Sequence, residues 1–278
     1  ARKNIIFLQH GVTAFKQCHK TYRKNCGNQM ALFVVTSEPE QKIIEKYFGY
    51  DKEEVIVTGF SRWDVLEDRS DPAHKEILLM PTWRNWLEDI SEEAFRKSEY
   101  YQRYETLLQD ERLRTILERE NITLNFYIHA KFRERLGNFY TEDRHIRLIP
   151  FGTVPLNQLL MSCHMLITDY SSVSWDVYYQ EKPVIFYPFD LETYEKVQGS
   201  YMDYKKDVFG DLAWDQNQLV DLIGEYARNG FREKPEFSGR RDELLPYRDN
   251  DNSKRIYEYI ANAQIPDKLK RRLKEKKF

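Results

Sequence analysis

Met165-Leu166-Ile167-Thr168-Asp169-Tyr170-Ser171-Ser172-Val173-Ser174-Trp175-Asp176 is the stretch on which the reading of this chain turns. Its first four residues have strand character, and Asp-Tyr-Ser-Ser leads at once into a helical pattern. Serines at such a junction are favourable N-caps, and a helix that starts there turns its unsatisfied backbone N–H groups back towards the strand's end. Two hydroxyls and the positive end of a helix dipole then make a phosphate site. Taken alone, the same residues equally describe an ordinary capped helix after a buried strand. Asp169 either meets the ligand or braces the turn, and Asp176 falls where a charge favours the dipole.

The surrounding sequence repeats this alternation. Strand-like, β-branched runs lie at 5–9, 32–36, 55–58, 77–80, 123–128, 146–149, 165–168 and 184–187, and helical patterns at 38–48, 62–67, 95–119, 156–163, 174–180, 216–229 and 253–262. Short buried strands alternating with helices predict an α/β fold with a parallel sheet covered on both faces. Right-handed crossovers make it a doubly wound, Rossmann-like domain. We expect one such domain over 1–265, with a helical insertion near 86–119, C-terminal helices, and a basic tail at 266–278. That tail suits either anionic lipid or solvent.

Composition excludes several classes. The 278 residues are 41% hydrophobic and 32% charged with a net charge of −2, so no overall basic field favours nucleic acid. No apolar run reaches transmembrane length. Cys18, Cys26 and Cys163 show no CxxC pairing, which fits a reducing compartment and no structural zinc. Walker, GxGxxG and HExxH motifs are absent, and no metal site is expected. The chain starts Ala1-Arg2-Lys3-Asn4 directly before a strand, and is expected to be part of a longer protein.

Ligands of open α/β sheets bind outside the carboxyl ends of the strands. The strand exits here deliver His10-Gly11, Gly59-Phe60-Ser61-Arg62, Thr82-Trp83-Arg84, His129-Ala130-Lys131, Asp169-Tyr170-Ser171-Ser172 and Pro188-Phe189-Asp190. Such an edge is cationic and rich in donors, as a nucleotide diphosphate requires. His10 suits a general base or a phosphate clamp, or is simply satisfied by backbone, and Gly11 would let a ligand approach the main chain. Arg84 offers a bidentate phosphate contact or is a solvated arginine beside a tryptophan. His129 and Lys131, two residues apart, could face one edge. Arg255 lies in the first turn of a helix, where its charge opposes the dipole, and that misfit points to a ligand role.

In order, Gln9-His10-Gly11, Val57-Thr58-Gly59-Phe60-Ser61-Arg62-Trp63-Asp64, Leu79-Met80-Pro81-Thr82-Trp83-Arg84, Ile128-His129, Thr168-Asp169-Tyr170-Ser171-Ser172-Val173 and Lys182-Pro183-Val184-Ile185-Phe186-Tyr187 closely resemble the CDP-glycerol glycerophosphotransferase family of teichoic acid primases and polymerases. Two positions depart from its pattern: Ala130 replaces a proline, and Asn252 replaces a glycine. The resemblance implies a GT-B-type fold, of which this chain is the C-terminal, nucleotide-binding half without the acceptor-side half. It implies transfer of glycerol phosphate from CDP-glycerol to a hydroxyl of a wall or capsular polymer, with release of CMP. By motif position, His10 is the base, His129 holds the phosphates, Ser171 and Ser172 bind the diphosphate, and Arg255 adds charge. It also implies a cytoplasmic enzyme, peripheral at the inner face of the cell membrane. A lipid-linked polymer would be the acceptor, and no cofactor would be needed beyond the donor substrate. CDP-ribitol transfer, a GT-B transferase using another nucleotide sugar, and a non-catalytic nucleotide-binding domain stay open as alternatives.

Overall fold

The computed structural model describes residues 5–26 and 30–262. The strands among them are β1 (Ile6–Phe7), β2 (Leu32–Val35), β3 (Val55–Val57), β4 (Lys75–Leu79), β5 (Ile122–Tyr127), β6 (Ile146–Ile149), β7 (Met165–Thr168), β8 (Val184–Phe186) and β9 (Asp211–Leu212). The α-helices are α1 (His19–Tyr22), α2 (Glu38–Ile43), α3 (Glu92–Arg96), α4 (Glu99–Leu108), α5 (Glu111–Glu120), α6 (Leu156–Ser162), α7 (Val173–Tyr179), α8 (Leu191–Val197), α9 (Gln216–Arg228), α10 (Pro235–Ser238), α11 (Arg241–Leu244) and α12 (Asn252–Ala261). Where the sequence predicts a single domain over 1–265, the chain forms two compact units. The first holds the described residues through Leu66, Gln198–Met202 and those from Gly239; the second holds Glu67–Val197 and Asp203–Ser238.

The first unit is built on a parallel sheet in the order β1-β2-β3. Every residue of β2 is buried, as a strand covered on both faces must be. Phe33 and Val35 pack with Ile44, Phe48 and Tyr50 on one face. Leu32 and Val34 meet Ile256 of α12 on the other. The predicted helix at 38–48 divides into α2 and a π-helical turn, Ile44–Phe48, which Gly49 closes in a left-handed conformation.

The second unit carries six parallel strands in the order β6-β5-β4-β7-β8-β9. Counted along the chain, this is the 3-2-1-4-5-6 order of a doubly wound dinucleotide-type fold, with its switch point between β4 and β7. Strands β6 and β7 coincide with the predicted runs residue for residue. The predicted helix at 95–119 is instead α3, α4 and α5. Ser98 and Asp110 cut it, each accepting a cap bond from a backbone N–H three residues on. These helices are the crossover from β4 to β5, and Tyr100, Tyr104, Leu113 and Leu117 are buried in the same core as the strands. The 86–119 segment thus belongs to the fold's core instead of standing beside it. Strand β9 was missed because it is short, and Gly210 before it is required: a Cβ there would lie 2.1 Å from the Val184 carbonyl oxygen. The basic tail at 266–278 lies outside the described residues.

Candidate active site

The switch point of the second unit is organised around one buried cation. Arg84, just beyond the end of β4, is fully buried. Its Nε donates to Asp190 Oδ2 at 2.7 Å, and its Nη2 donates to Asp169 Oδ2 at 2.8 Å and to Asp190 Oδ1 at 2.9 Å. Its Nη1 donates to the Thr82 carbonyl at 2.6 Å. The rings of Tyr170 and Tyr100 lie 4.9 and 5.3 Å from the guanidinium carbon. Burial alone would weaken its charge, but the two carboxylates outweigh it and hold Arg84 well above the usual arginine value. The fork is therefore spent on tying together the exits of β4, β7 and β8, and Arg84 does not offer the free phosphate contact expected of it.

Asp169 resolves its two readings in favour of the brace. Its Oδ1 accepts from the backbone N–H of Tyr170 at 2.7 Å and of Thr82 at 2.8 Å. The Tyr104 hydroxyl donates to Oδ2 at 3.4 Å, and the Tyr204 hydroxyl bonds the Asp169 carbonyl. Tyr170 donates to Asp190 Oδ1 at 2.9 Å and stacks on Tyr194 with ring centroids 3.6 Å apart. Burial pushes the phenols of Tyr104, Tyr170 and Tyr204 up, so they remain donors to this doubly anionic cluster.

The serines behave differently from the expected caps. Ser172 holds the N-cap position of α7, but its backbone is already helical and its side chain makes no cap bond. Ser171 Oγ accepts only a long 3.4 Å bond from Val173 N. Asp169 takes the Tyr170 N–H, and the Ser171 and Ser172 carbonyls accept from Ser174 N and Trp175 N at 3.2 Å each, so both hydroxyls are left without a strong structural bond, and both residues are half-buried.

His129 caps the 3₁₀ helix Ala130–Asn138, its Nδ1 accepting from Lys131 N at 3.2 Å. A neutral ring with Nδ1 as acceptor carries its proton on Nε2. The Trp83 ring lies 5.9 Å from the His129 ring and 5.6 Å from Lys131 Nζ, so the exits of β4 and β5 share one cluster. Lys131 Nζ also pairs with Glu88 at 2.5 Å. Beside the β8 exit opens a cavity of about 500 Å³ whose lining includes Glu99, Asp190, Thr193, Lys205 and Trp214. None of the predicted site residues lines it.

His10, Gly11 and Arg255 belong to the first unit. His10 is exposed on the turn after β1. The left-handed position of that turn is Gln9, at φ 52°, and not Gly11. Arg255 is committed to its own loop. Its Nη1 and Nη2 donate to Asp249 at 2.8 Å each, its Nε to the Thr58 carbonyl at 3.1 Å, and it stacks 4.1 Å over Tyr247. This pairing explains how a cation is accommodated in the first turn of α12. It also corrects the expectation that the misfit alone marks a ligand contact.

Arg84 with Asp169 and His129 with Lys131 are thus brought together, each pair within the second unit. Sequence reading missed Asp190, Tyr104 and Tyr204 as the partners that hold the switch point. Asp190 had the signal, standing at a strand exit with no role given to it. Among the described residues, no group of His, Cys, Asp and Glu is placed to hold a metal ion, and no helix is long and apolar enough to cross a membrane.

The structural neighbours agree with this fold. The wall teichoic acid polymerase TagF superposes with a TM-score of 0.69 at 17% identity, over 98% of this chain and 71% of that one. The α/β, Rossmann-like, GT-B-type expectation is borne out. Among curated proteins, the minor teichoic acid biosynthesis protein GgaB of Bacillus subtilis is 32% identical over 92% of this chain and 29% of its own length. The teichoic acid poly(ribitol-phosphate) polymerase of Bacillus spizizenii is 29% identical over 82% of this chain and 39% of its own length. The chain therefore spans less than half of each of these two relatives. The family profile described as CDP-Glycerol:Poly(glycerophosphate) glycerophosphotransferase matches residues 1–262. The chain belongs to the CDP-glycerol glycerophosphotransferase family.

Proposed function

We propose that this chain is part of an enzyme that transfers glycerol phosphate from CDP-glycerol to a hydroxyl of a teichoic-acid-like or capsular polymer, releasing CMP. The observation that carries this reading is the family match along residues 1–262. It is supported by the switch-point turn, where a buried arginine–carboxylate cluster leaves two serine hydroxyls for a ligand. The acceptor oxygen attacks the phosphorus that bears glycerol, the bridging P–O bond breaks, and CMP leaves with the electron pair. His10 takes the acceptor's proton. Ser171, Ser172 and His129 meet the diphosphate, with Lys131 adding charge. Positioning and charge stabilisation supply most of the rate, as in other phosphoryl transfers. The donor is the only small molecule the reaction requires, and the enzyme works at the inner face of the cell membrane on a lipid-linked acceptor.

A CDP-ribitol donor is a second reading, favoured by the similarity to the ribitol-phosphate polymerase. Calorimetry with CDP-glycerol, CDP-ribitol, UDP-GlcNAc and CMP separates the two. Preference for the UDP-sugar, or no cytidine binding at all, overturns both. In the intact enzyme, His10→Ala is expected to lower transfer by about 10²–10⁴-fold while CMP affinity is retained. Unchanged turnover would remove His10 as the base.

A further inference from the structure

Beneath the turn that carries His10 lies a carboxylate given no role so far. Glu40 is 2% exposed. It sits in the first turn of α2, whose N-cap Ser37 and early Pro39 fix where the helix begins. Its Oε1 accepts from the backbone N–H of Thr13 at 2.7 Å and from Gln9 Nε2 at 3.2 Å. Its Oε2 accepts from the backbone N–H of Thr36 at 2.7 Å and from the Thr36 hydroxyl at 2.9 Å.

Two further bonds close the network. Gln9 Nε2 donates to the Val34 carbonyl at 2.7 Å, and the Thr13 hydroxyl donates to Gln9 Oε1 at 2.7 Å. Both ends of the turn Gln9-His10-Gly11-Val12-Thr13 are thereby tied to one side chain, and Gln9 is held in a left-handed conformation that it would rarely adopt unaided. All of these groups lie in the first unit.

Each carboxyl oxygen faces a backbone N–H, that of Thr13 on Oε1 and that of Thr36 on Oε2, so both oxygens must accept. An amide in its place would turn an NH₂ towards an N–H already there. Burial pushes the Glu40 carboxyl above the usual glutamate range while the bonds from Thr13, Thr36 and Gln9 pull it back, and a fold keeps such a group where its hydrogen bonds are complete and its geometry is needed. Helix capping does not need this carboxylate, since Ser37 caps α2. What Glu40 fixes is the path of the chain on either side of His10.

We propose that Glu40 is a positioning residue for the transfer reaction, fixing through Gln9 and Thr13 the turn that presents the His10 imidazole. This rests on the reading of His10 as the base. A displacement of about 1 Å at a reacting group costs on the order of 10²-fold in rate. Glu40→Gln in the intact enzyme, assayed with CDP-glycerol and a defined polymer acceptor, is therefore expected to lose kcat on that scale. The donor KM should stay unchanged, and the limb of the pH–rate profile that His10→Ala abolishes should shift.

Should Glu40→Gln fail to fold, Thr13→Val removes only the hydroxyl bond to Gln9, and a smaller loss of kcat with the same shift in the limb is expected. If His10→Ala turns over normally, the reading of His10 falls first. If His10→Ala is inactive while a folded Glu40→Gln or Thr13→Val keeps the normal kcat and pH profile, Glu40 has no positioning role.

Discussion

Arg84 shows at the scale of one residue what a sequence can and cannot disclose. Its place after a strand was legible, and an arginine there suits a phosphate. Its partners, Asp169 and Asp190, are 85 and 106 residues further along, and nothing local announces that they converge on it. Removing one member of a buried pair leaves uncompensated charge and costs about 3–5 kcal/mol. Arg84→Lys, which keeps the charge but cannot reproduce the fork, is expected to cost up to about that much unfolding free energy, read as a lowered denaturation midpoint. The variant that remains folded should bind CMP as the parent does. Loss of CMP affinity with unchanged stability would return Arg84 to the ligand. By contrast, the Asp-Tyr-Ser-Ser turn was legible as a special place. The division of labour within it was not, because Asp169 performs the bracing that serines usually share.

Among the elements, α12 has the most revealing start. Its position was legible from apolar spacing, but the group that anchors it comes from far away. Asp64 accepts the backbone N–H of Asn252 at 2.8 Å and of Ser253 at 2.7 Å. Burial would raise the Asp64 carboxyl, but the bonds from Ser253 and Asn252 outweigh it and hold it below the usual aspartate value. The bonds from Arg255 hold Asp249 at about 2. Both carboxyls are more acidic folded than unfolded, so their stabilisation is complete above about pH 4 and is lost as pH falls through the lowered folded values. Amide exchange at Asn252 and Ser253 should accelerate over that interval, and Asp64→Asn should abolish the acid-dependent component. A pH-independent rate in the parent would contradict this. Close approach sets a second constraint here. Gly59 has φ +78°, and a Cβ on it would lie 2.0 Å from Asn252 Oδ1. Gly59→Ala is expected to destabilise the first unit by more than about 1 kcal/mol, readable as a lowered melting temperature.

Across the whole molecule, the alternation of strands and helices was read correctly because parallel strands buried on both faces leave an unmistakable β-branched record. Their order was not written there, since pairing joins residues far apart in sequence, and neither was the division into two units. The most consequential pairing is β4 with β7, where Leu79 lies opposite Ile167. When β4, β5 and β6 have been synthesised, they can already form half a sheet. Yet one edge of β4 stays open until residues 165–168 emerge, about 1–4 seconds later at about 5–20 residues per second. Ile77, Leu78 and Leu79, all fully buried in the finished fold, spend that interval as an unpaired apolar edge, the kind that other chains and chaperones seize. Ribosome-bound chains halted before β7 should therefore be protease-sensitive and chaperone-associated, whereas chains extended past β8 should be neither. The central place of β4 thus makes its exposed edge a hazard of birth, relieved when the segment that ends in the serine turn arrives to cover it.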